Sequence, residues 1–266
     1  MLFNFTLVPV EHVQPWGNPG MKSLHWFGLT DGQYWIEAGD DVLFEYSEHV
    51  RSKPGSTRYC AYQVARLYED LLEMVPSILE PVPASLVSYL TGEGGSAWMA
   101  KSASWSTSAF ESLDEERYWA ISDASVTWIG SRTLDAAYLS PSTNIRLWSE
   151  QSAVHIEWDN TEKLCEGLPA WSAIRGSFRM PREAFIHEVR AFHERFMDQM
   201  AQRVANVVAG ALSPDVQIDL PALHKEQLQR CRAIEHAFSG SAVATDWQLV
   251  TGAIAEVERG AHGRQV

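Results

Sequence analysis

Residues 144–160, NIRLWSEQSAVHIEWDN, alternate apolar and polar side chains on both sides of a short polar centre. Alternation with a period of two is typical of a β-strand that buries one face. A tight turn at residues 151–152 would pair Leu147 with Ile156, and the apolar faces of the two strands would then coincide. The stretch therefore predicts an antiparallel hairpin whose register is set by its buried face.

The opposite face of this hairpin carries the side chains that could perform chemistry. The same register sets Arg146 opposite Glu157 and Trp148 opposite His155, with Asp159 next on that face. A histidine near carboxylates can ligate a metal ion or act as an acid or base. No other element supplies further ligands, which favours a solvated face with a cross-strand Arg–Glu pair worth about 1 kcal/mol or less. A partner-binding face remains the alternative, because a tryptophan beside charged residues is typical of interface hot spots.

A third strand over residues 171–180 and a long helix from Pro181 to about residue 209 are predicted after the hairpin. Proline is favoured in the first turn of a helix, and Gly210 follows its expected end. At about 1.5 Å per residue the helix would span about 43 Å, enough to brace a whole sheet. Its apolar stripe is formed by Phe185, Val189, Phe192, Phe196, Met200, Val204 and Val207.

A second hairpin is predicted upstream, where residues 24–36 read LHWFGLTDGQYWI. The Asp-Gly pair at residues 31–32 is a preferred two-residue turn, because both positions tolerate positive φ. This turn would place Trp26, Trp35 and Glu37 on the face opposite the core.

Periodicity and turn residues predict the remaining elements. Strands are expected over residues 3–7 and 42–46, and helices over residues 58–75, 84–90, 118–129, 221–238 and 245–258, the last opened by a capping box at Thr245-x-x-Gln248. Residues 92–108, rich in Gly, Ser and Ala, are interpreted as a long loop. The predicted fold class is α+β, with antiparallel hairpins packed against the long helix and helix exceeding strand. Residues 1–212 are expected to form the main domain and residues 213–266 a helical extension packed on it.

The charge of the chain narrows the classes of partner. The 266 residues include 34 acidic and 21 basic side chains, and the net charge is −13. Residues 1–179 carry −11 of it, and residues 180–266 carry −2. Such acidity argues against nucleic acid or an anionic membrane as the main partner, because both attract clustered Lys and Arg. No apolar run is long enough to predict a transmembrane helix.

Known catalytic and metal-binding motifs are missing from the sequence. Cys60, Cys165 and Cys231 lie far apart with no C-x-x-C pair, which argues against a zinc finger or disulfide framework and favours the cytoplasm. Neither a G-x-S-x-G, an H-E-x-x-H nor a kinase signature occurs. We therefore expect no catalytic residue, cofactor or metal ion, although the sequence leaves enzymatic activity open.

Eleven tryptophans are the unusual feature of the composition. If helices cover both faces of each sheet, the rings belong to the core; otherwise some of them mark a surface or groove. Trp26, Trp35 and Trp148 are predicted on faces opposite the obvious core. They therefore lie beneath a second layer or form the surface that the protein uses.

Three strings together resemble an uncharacterised bacterial family, a domain of unknown function. They are LHWFGLTDGQYWI at residues 24–36, NIRLWSEQSAVHIEWDN at residues 144–160 and FRMPREAFIHEVRAFHERFMDQMAQRV at residues 178–204. The resemblance covers roughly residues 1–210 and implies no catalytic residue. Proteins of this kind resemble immunity proteins of bacterial toxin systems.

The leading hypothesis is a non-catalytic protein-binding module, an immunity-type inhibitor whose acidic surface captures a basic toxin domain. The expected contacts are Trp26, Trp35, Glu37, Arg146, Trp148, His155, Glu157 and Asp159. The alternative is an enzyme or small-ligand binder with an aromatic groove that uses His155, Glu157 and Asp159. A third reading is an oligomer that buries its aromatic side chains between subunits, and the oligomeric state stays open.

Overall fold

The computed structural model describes residues 1–18, 20–239 and 244–262, so residues 240–243 and 263–266 of the predicted extension lie outside the described residues. The strands are β1 (Phe3–Leu7), β2 (Lys22–Ser23), β3 (Asp31–Ala38), β4 (Asp41–Leu43), β5 (Cys60–Gln63), β6 (Ile145–Glu150), β7 (Ala153–Asp159), β8 (Leu164–Cys165), β9 (Leu168–Pro169), β10 (Arg175–Pro181) and β11 (Val216–Gln217). The helices are α1 (Glu48–Arg51), α2 (Val64–Leu79), α3 (Gly92–Ala109), α4 (Glu115–Gly130), α5 (Arg182–Val208), α6 (Leu220–Cys231), α7 (Ala233–Ser239) and α8 (Trp247–His262). Helices hold 49% of the residues and strands 22%, which confirms the predicted α+β class with helix in excess.

The hairpin predicted over residues 144–160 is confirmed, including its register. Leu147 pairs with Ile156, and Ile145 pairs with Trp158. Strand β10 adds to the free side of β7, which gives a three-stranded antiparallel sheet in the order β10-β7-β6. We call it the second sheet, because the strands β1, β3, β4 and β5 form a first sheet earlier in the chain. The second sheet buries the apolar face of its hairpin in the main core, against α2 and α5. The third strand begins at Arg175, later than the predicted residue 171.

The long helix is also confirmed. Pro181 is the residue before its first turn, and α5 then runs for 27 residues, about 40 Å. All seven residues of the predicted apolar stripe are buried. Phe192 and Phe196 hold β1, because the ring of Phe5 lies 5.7 Å from the first and 5.4 Å from the second.

The predicted hairpin at residues 24–36 is wrong. Residues 28–30 form a 3-10 turn, and β3 begins at Asp31 and runs straight through Gly32. The Thr30 hydroxyl holds the turn, since it donates to the Phe27 carbonyl at 2.7 Å and accepts from the Ala65 amide at 3.2 Å. Gly32 serves another purpose there, because a Cβ at this position would lie 2.3 Å from the Thr6 carbonyl oxygen of β1. The glycine permits close strand pairing in place of a turn.

The first sheet therefore has β3 at its centre. Strand β1 pairs with one side of β3, and β4 and β5 pair with the other side. Side chains of even-numbered residues in β3 are buried, whereas those of odd-numbered residues are half-buried or exposed. One face of this sheet packs on the core, and the other stays partly open to solvent.

Two predicted segments change class. Residues 60–63 form β5, so α2 starts at Val64 and not at residue 58. Residues 92–108, predicted as a loop, form α3. Gly and Ser favour this helix poorly on their own, but packing overrides propensity. Trp98 and Trp105 are buried along α3, and Gly95 lets it approach the second sheet.

The C-terminal helices differ from the prediction in detail. The helix expected over residues 221–238 is divided into α6 and α7 near Arg232. The capping box at Thr245 is wrong, because Asp246 accepts the Leu249 amide at 3.0 Å while Thr245 binds Glu80 instead. Helix α6 packs on α5, and α8 packs on α3 and α4. The division of the chain at residue 212 stays a prediction.

Helices α3, α4 and α8, with a 3-10 turn at residues 84–89, form a second layer that covers the outer face of β6. Trp148 belongs to the core of this layer. The second sheet thus lies between two apolar cores. Within the residues that the structure describes, no helix is both long enough and apolar enough to cross a membrane.

Candidate functional site

Trp26, an expected partner contact, is fully buried. Its indole nitrogen donates to the Gln227 amide oxygen at 2.7 Å, and the Arg230 guanidinium lies 4.1 Å from its ring centroid. Both partners belong to α6. Trp26 therefore anchors α6, and it presents no ring to a binding partner.

Trp148 lies beneath the second layer, and His155 is half-buried beside it. Trp148 is buried, and its ring stacks on the His155 imidazole with centroids 4.2 Å apart. Burial lowers the pKa of His155, and the charge of Arg179 lowers this pKa further. The imidazole is therefore neutral in the folded protein at neutral pH.

Arg146, Glu157 and Asp159 meet the start of α3. The predicted pairing of Arg146 with Glu157 is confirmed at the backbone. The Arg146 guanidinium donates to the Leu90 carbonyl at 2.9 Å, and the Glu157 carboxylate accepts the Gly92 amide. Burial raises the pKa of Glu157, while the Gly92 amide opposes that shift.

Asp159 completes this contact from the neighbouring position of β7. It accepts from Ser96 at 3.4 Å and from Arg175 at 2.9 Å. Carboxylates near a helix N-terminus are stabilised by the helix dipole. These charged residues therefore dock α3 onto the second sheet. Among the described residues, no three His, Cys, Asp or Glu side chains converge as a metal site requires.

Trp35 and Glu37 lie on the open face of the first sheet, where the exposed Glu37 carboxylate accepts the Trp35 indole N–H at 3.1 Å. The Trp35 ring stacks on Tyr59 with centroids 4.1 Å apart and planes within 12°. Arg58 covers the Tyr59 ring at 4.9 Å. We call Trp35, Glu37, Arg58 and Tyr59 the sheet-face patch.

Sequence reasoning missed Tyr59, because residues 58–75 were predicted as one helix. The structure instead joins Tyr59 to Glu45 by a β-bridge beside the first sheet. An aromatic residue just before an alternating segment was the signal available. Trp35 and Glu37 are the expected contacts that the structure keeps at the surface together.

A cleft of about 500 Å³ between α2 and the segment after α4 was also missed. Arg66, Asp70 and Asp135 line it, and the Arg66 side chain pairs with both carboxylates. Asp70 has only 12% of its side chain exposed, and burial raises its pKa to about 7 although Arg66 opposes the shift. The sequence shows Arg66 and Asp70 only as an i, i+4 pair on a helix surface, which is common.

Comparison with known protein families gives a match over almost the entire chain. The model of a family of unknown function, DUF5984, matches residues 2–253. The match extends past the roughly 210 residues on which the resemblance was recognised, into α8. No curated protein and no solved structure matches the sequence significantly. The chain belongs to the family of unknown function DUF5984.

Proposed function

We propose that the protein is a non-catalytic binding module for another protein, and that this partner is a basic toxin domain that it inhibits. The sheet-face patch supports this proposal, because Trp35 stacks on Tyr59 beside Glu37 on a partly open sheet. Aromatic side chains held rigid by their neighbours carry much of the binding energy in protein interfaces. A stacked pair loses little side-chain entropy when it binds.

Charge supports a basic partner. Glu37 extends from β3, Asp40 follows it in the adjoining turn and Asp41 begins β4, whereas Arg58 is the cation beside Tyr59. The first 179 residues carry a net charge of −11. An acidic surface accelerates capture of a cationic partner. Nuclease toxins are a suitable class, because binding an anionic backbone requires Lys and Arg.

The test is coexpression with any basic, toxin-like protein that a neighbouring gene encodes. We expect the two proteins to copurify and the cells to survive only when both are produced. Replacing Trp35 and Tyr59 by Ala should weaken binding by about tenfold or more. Trp16→Ala is the matched control, because Trp16 is 43% exposed and lies outside the patch.

Two results would refute the proposal. One is full viability of cells that carry the toxin gene alone. The other is unchanged affinity of the doubly substituted protein. Circular dichroism must show that the double variant is folded, and Glu37→Lys provides a second variant at an exposed position. This charge reversal should slow association and leave the fold intact.

A small-ligand function is the second candidate, and the cleft at Asp70 favours it. A cleft with convergent polar groups and a shifted pKa is typical of ligand sites. Arg66, Asp70 and Asp135 would hold a ligand that carries both a cationic and an anionic group. Equilibrium dialysis with amino acids tests this candidate, and Asp70→Asn should abolish any binding observed.

A further inference from the structure

We propose that the turn between α3 and α4 is a second docking surface, and that it takes a Lys- or Arg-rich segment of a partner protein. The surface consists of Phe110, Glu111, Glu115, Glu116, Trp119 and Asp123, and we call it the α3–α4 patch. It lies on the second layer, apart from the sheet-face patch. The two proposals can therefore fail separately.

Two large aromatic side chains are exposed at this turn. Phe110 is 64% exposed and Trp119 is 49% exposed. Both meet the buried Tyr118 edge to face, with ring centroids 5.3 Å and 5.0 Å away. Tyr118 is itself fixed, because it stacks on Trp105 and shares a 2.6 Å hydrogen bond with Ser106. The exposed rings thus stand on a rigid base.

Carboxylates surround the tryptophan on its own helix face. Glu115 and Glu116 precede Trp119 by four and three residues, and Asp123 follows it by four. Side chains at these spacings lie on one face of a helix. All three carboxylates are exposed, as is Glu111 after Phe110. The aromatic pair therefore has an acidic rim.

Helix stability explains only part of this charge. Asp114 caps α4 by accepting the Arg117 amide at 3.0 Å, and acidic residues in a first turn favour the helix dipole. Asp123 lies in the second half of α4, beyond the reach of that effect. Packing does not require two exposed aromatic rings either.

Nearby cations do not neutralise the patch. Arg117 turns to Glu256 of α8 and forms an ion pair with it. Among the described residues, none of the four carboxylates of the patch has an ion-pair partner. The patch therefore offers four negative charges around two apolar rings.

The combination of carboxylates and exposed aromatic rings favours a Lys- or Arg-rich segment as the partner. A Lys or Arg side chain gains from the carboxylates and from the face of Trp119 through a cation–π contact. An apolar side chain between two such cations would cover Phe110. A second copy of this chain would bring its own acidic patch to the contact, and like charges oppose that pairing. Nucleic acid and anionic lipid are repelled for the same reason.

The experiment titrates the full chain with a fluorescent twelve-residue peptide of alternating Lys and Leu, followed by anisotropy. A peptide of alternating Glu and Leu is the charge control. We expect binding of the Lys peptide that weakens with salt. Trp119→Ala should weaken binding by about tenfold, and Asp123→Lys should weaken it through charge alone. Trp16→Ala should bind as the unchanged protein does.

Three outcomes would overturn the proposal. The first is that Trp119→Ala binds the Lys peptide as tightly as the unchanged protein does. The second is that Trp16→Ala loses as much affinity as Trp119→Ala. The third is that light scattering shows a dimer which Phe110→Ala dissociates. If Trp119→Ala loses peptide binding but still protects cells from the toxin, the result supports the α3–α4 patch as a docking surface separate from the proposed function. Asp123→Lys keeps the test valid if the Trp119 variant does not fold, because Asp123 is exposed in mid-helix.

Discussion

Trp148 and His155 stack face to face across the β6–β7 hairpin, with ring centroids 4.2 Å apart and planes within 6°. Trp148 joins the second sheet to the core of the layer formed by α3, α4 and α8, and His155 stacks on its ring. A tryptophan beside a histidine and two carboxylates resembles a binding surface in the sequence. In the folded protein the same residues stabilise the contact between two layers.

The stack predicts a loss of stability in mild acid. Burial and the charge of Arg179 lower the pKa of His155, whereas Glu150, 3.9 Å away, opposes them. The unfolded chain therefore takes up this proton first, near its ordinary pKa of about 6.5. The contribution of His155 to stability is full above that pH and decreases as the pH falls below it.

His155→Phe should remove this dependence while it keeps the stacking. When the pH is lowered from 7.5 to 5.5, we expect the free energy of unfolding to fall less for the variant than for the unchanged protein. The two decreases should differ by about 1 kcal/mol or less. Urea denaturation measures the difference. His224→Phe, at an exposed position of α6, is the control. Identical pH profiles for His155→Phe and the unchanged protein would contradict the prediction.

The raised pKa of Asp70 predicts that stability depends on pH in the opposite direction. Its pKa is raised to about 7 by burial, above the ordinary carboxyl value of about 4. The folded state therefore holds this proton more tightly, and stability falls as the pH rises from about 4 to 7. Asp70→Asn should be more stable than the unchanged protein at pH 8, by about 1 to 3 kcal/mol, with a smaller gain at pH 5.

Denaturation at both pH values checks the Asp70 prediction. Glu73→Gln, an exposed carboxylate on the same helix, is the control and should change stability little. A variant at Asp70 that gains nothing at pH 8 would show that Arg66 compensates for the burial of the charge.

Gly32 tests the corrected first sheet. Alanine at this position would place its Cβ 2.3 Å from the Thr6 carbonyl oxygen, so β1 and β3 would have to separate. We expect Gly32→Ala to destabilise the protein by about 2 to 4 kcal/mol. Gly252→Ala in α8 meets nothing within 4 Å and should stabilise it by about 0.5 to 1 kcal/mol. Chemical denaturation compares them, and a hairpin turn at residues 31–32 would instead limit the cost of Gly32→Ala to the strain of a positive φ, about 1 kcal/mol.

Local patterns predicted those parts of the fold that depend on neighbours in sequence. Alternation over residues 144–160 identified the register of the second hairpin, and the spacing from Phe185 to Val207 identified α5. Gly32 was misread because the residue that demands it, Thr6, is distant in sequence. An Asp-Gly pair suits a two-residue turn, but its glycine equally suits a position where two strands approach closely.

The candidate sites were predicted less well, because exposure depends on which layers meet. Strand parity correctly placed Trp148 opposite Leu147, but it gave no sign that α3 would cover it. Helix α3 itself was missed, since Gly and Ser hide a helix that packing stabilises. Trp119 and the nearby carboxylates share one exposed face only because residues 115–130 form a helix that buries Tyr118.

The junction of Glu80 and Arg132 carries the final prediction. The Arg132 guanidinium is buried and donates to Glu80 at 2.8 Å, while Glu80 also accepts the amide and hydroxyl of Thr245. This carboxylate thus joins the end of α2, the end of α4 and the start of α8. The Arg132 guanidinium also covers the ring of Trp247 at 5.3 Å.

Glu80→Ala should destabilise the protein by about 3 to 5 kcal/mol, because it leaves the Arg132 charge buried without its partner. Burial already lowers the pKa of Arg132, and Glu80 opposes that shift. Thr245→Val removes one hydrogen bond to the same carboxylate and should cost about 1 kcal/mol. Amide hydrogen exchange should show that α8 loses protection before α5 in Glu80→Ala. Equal protection of both helices would mean that the other contacts of α8, such as that between Trp128 and Trp247, hold it without Glu80.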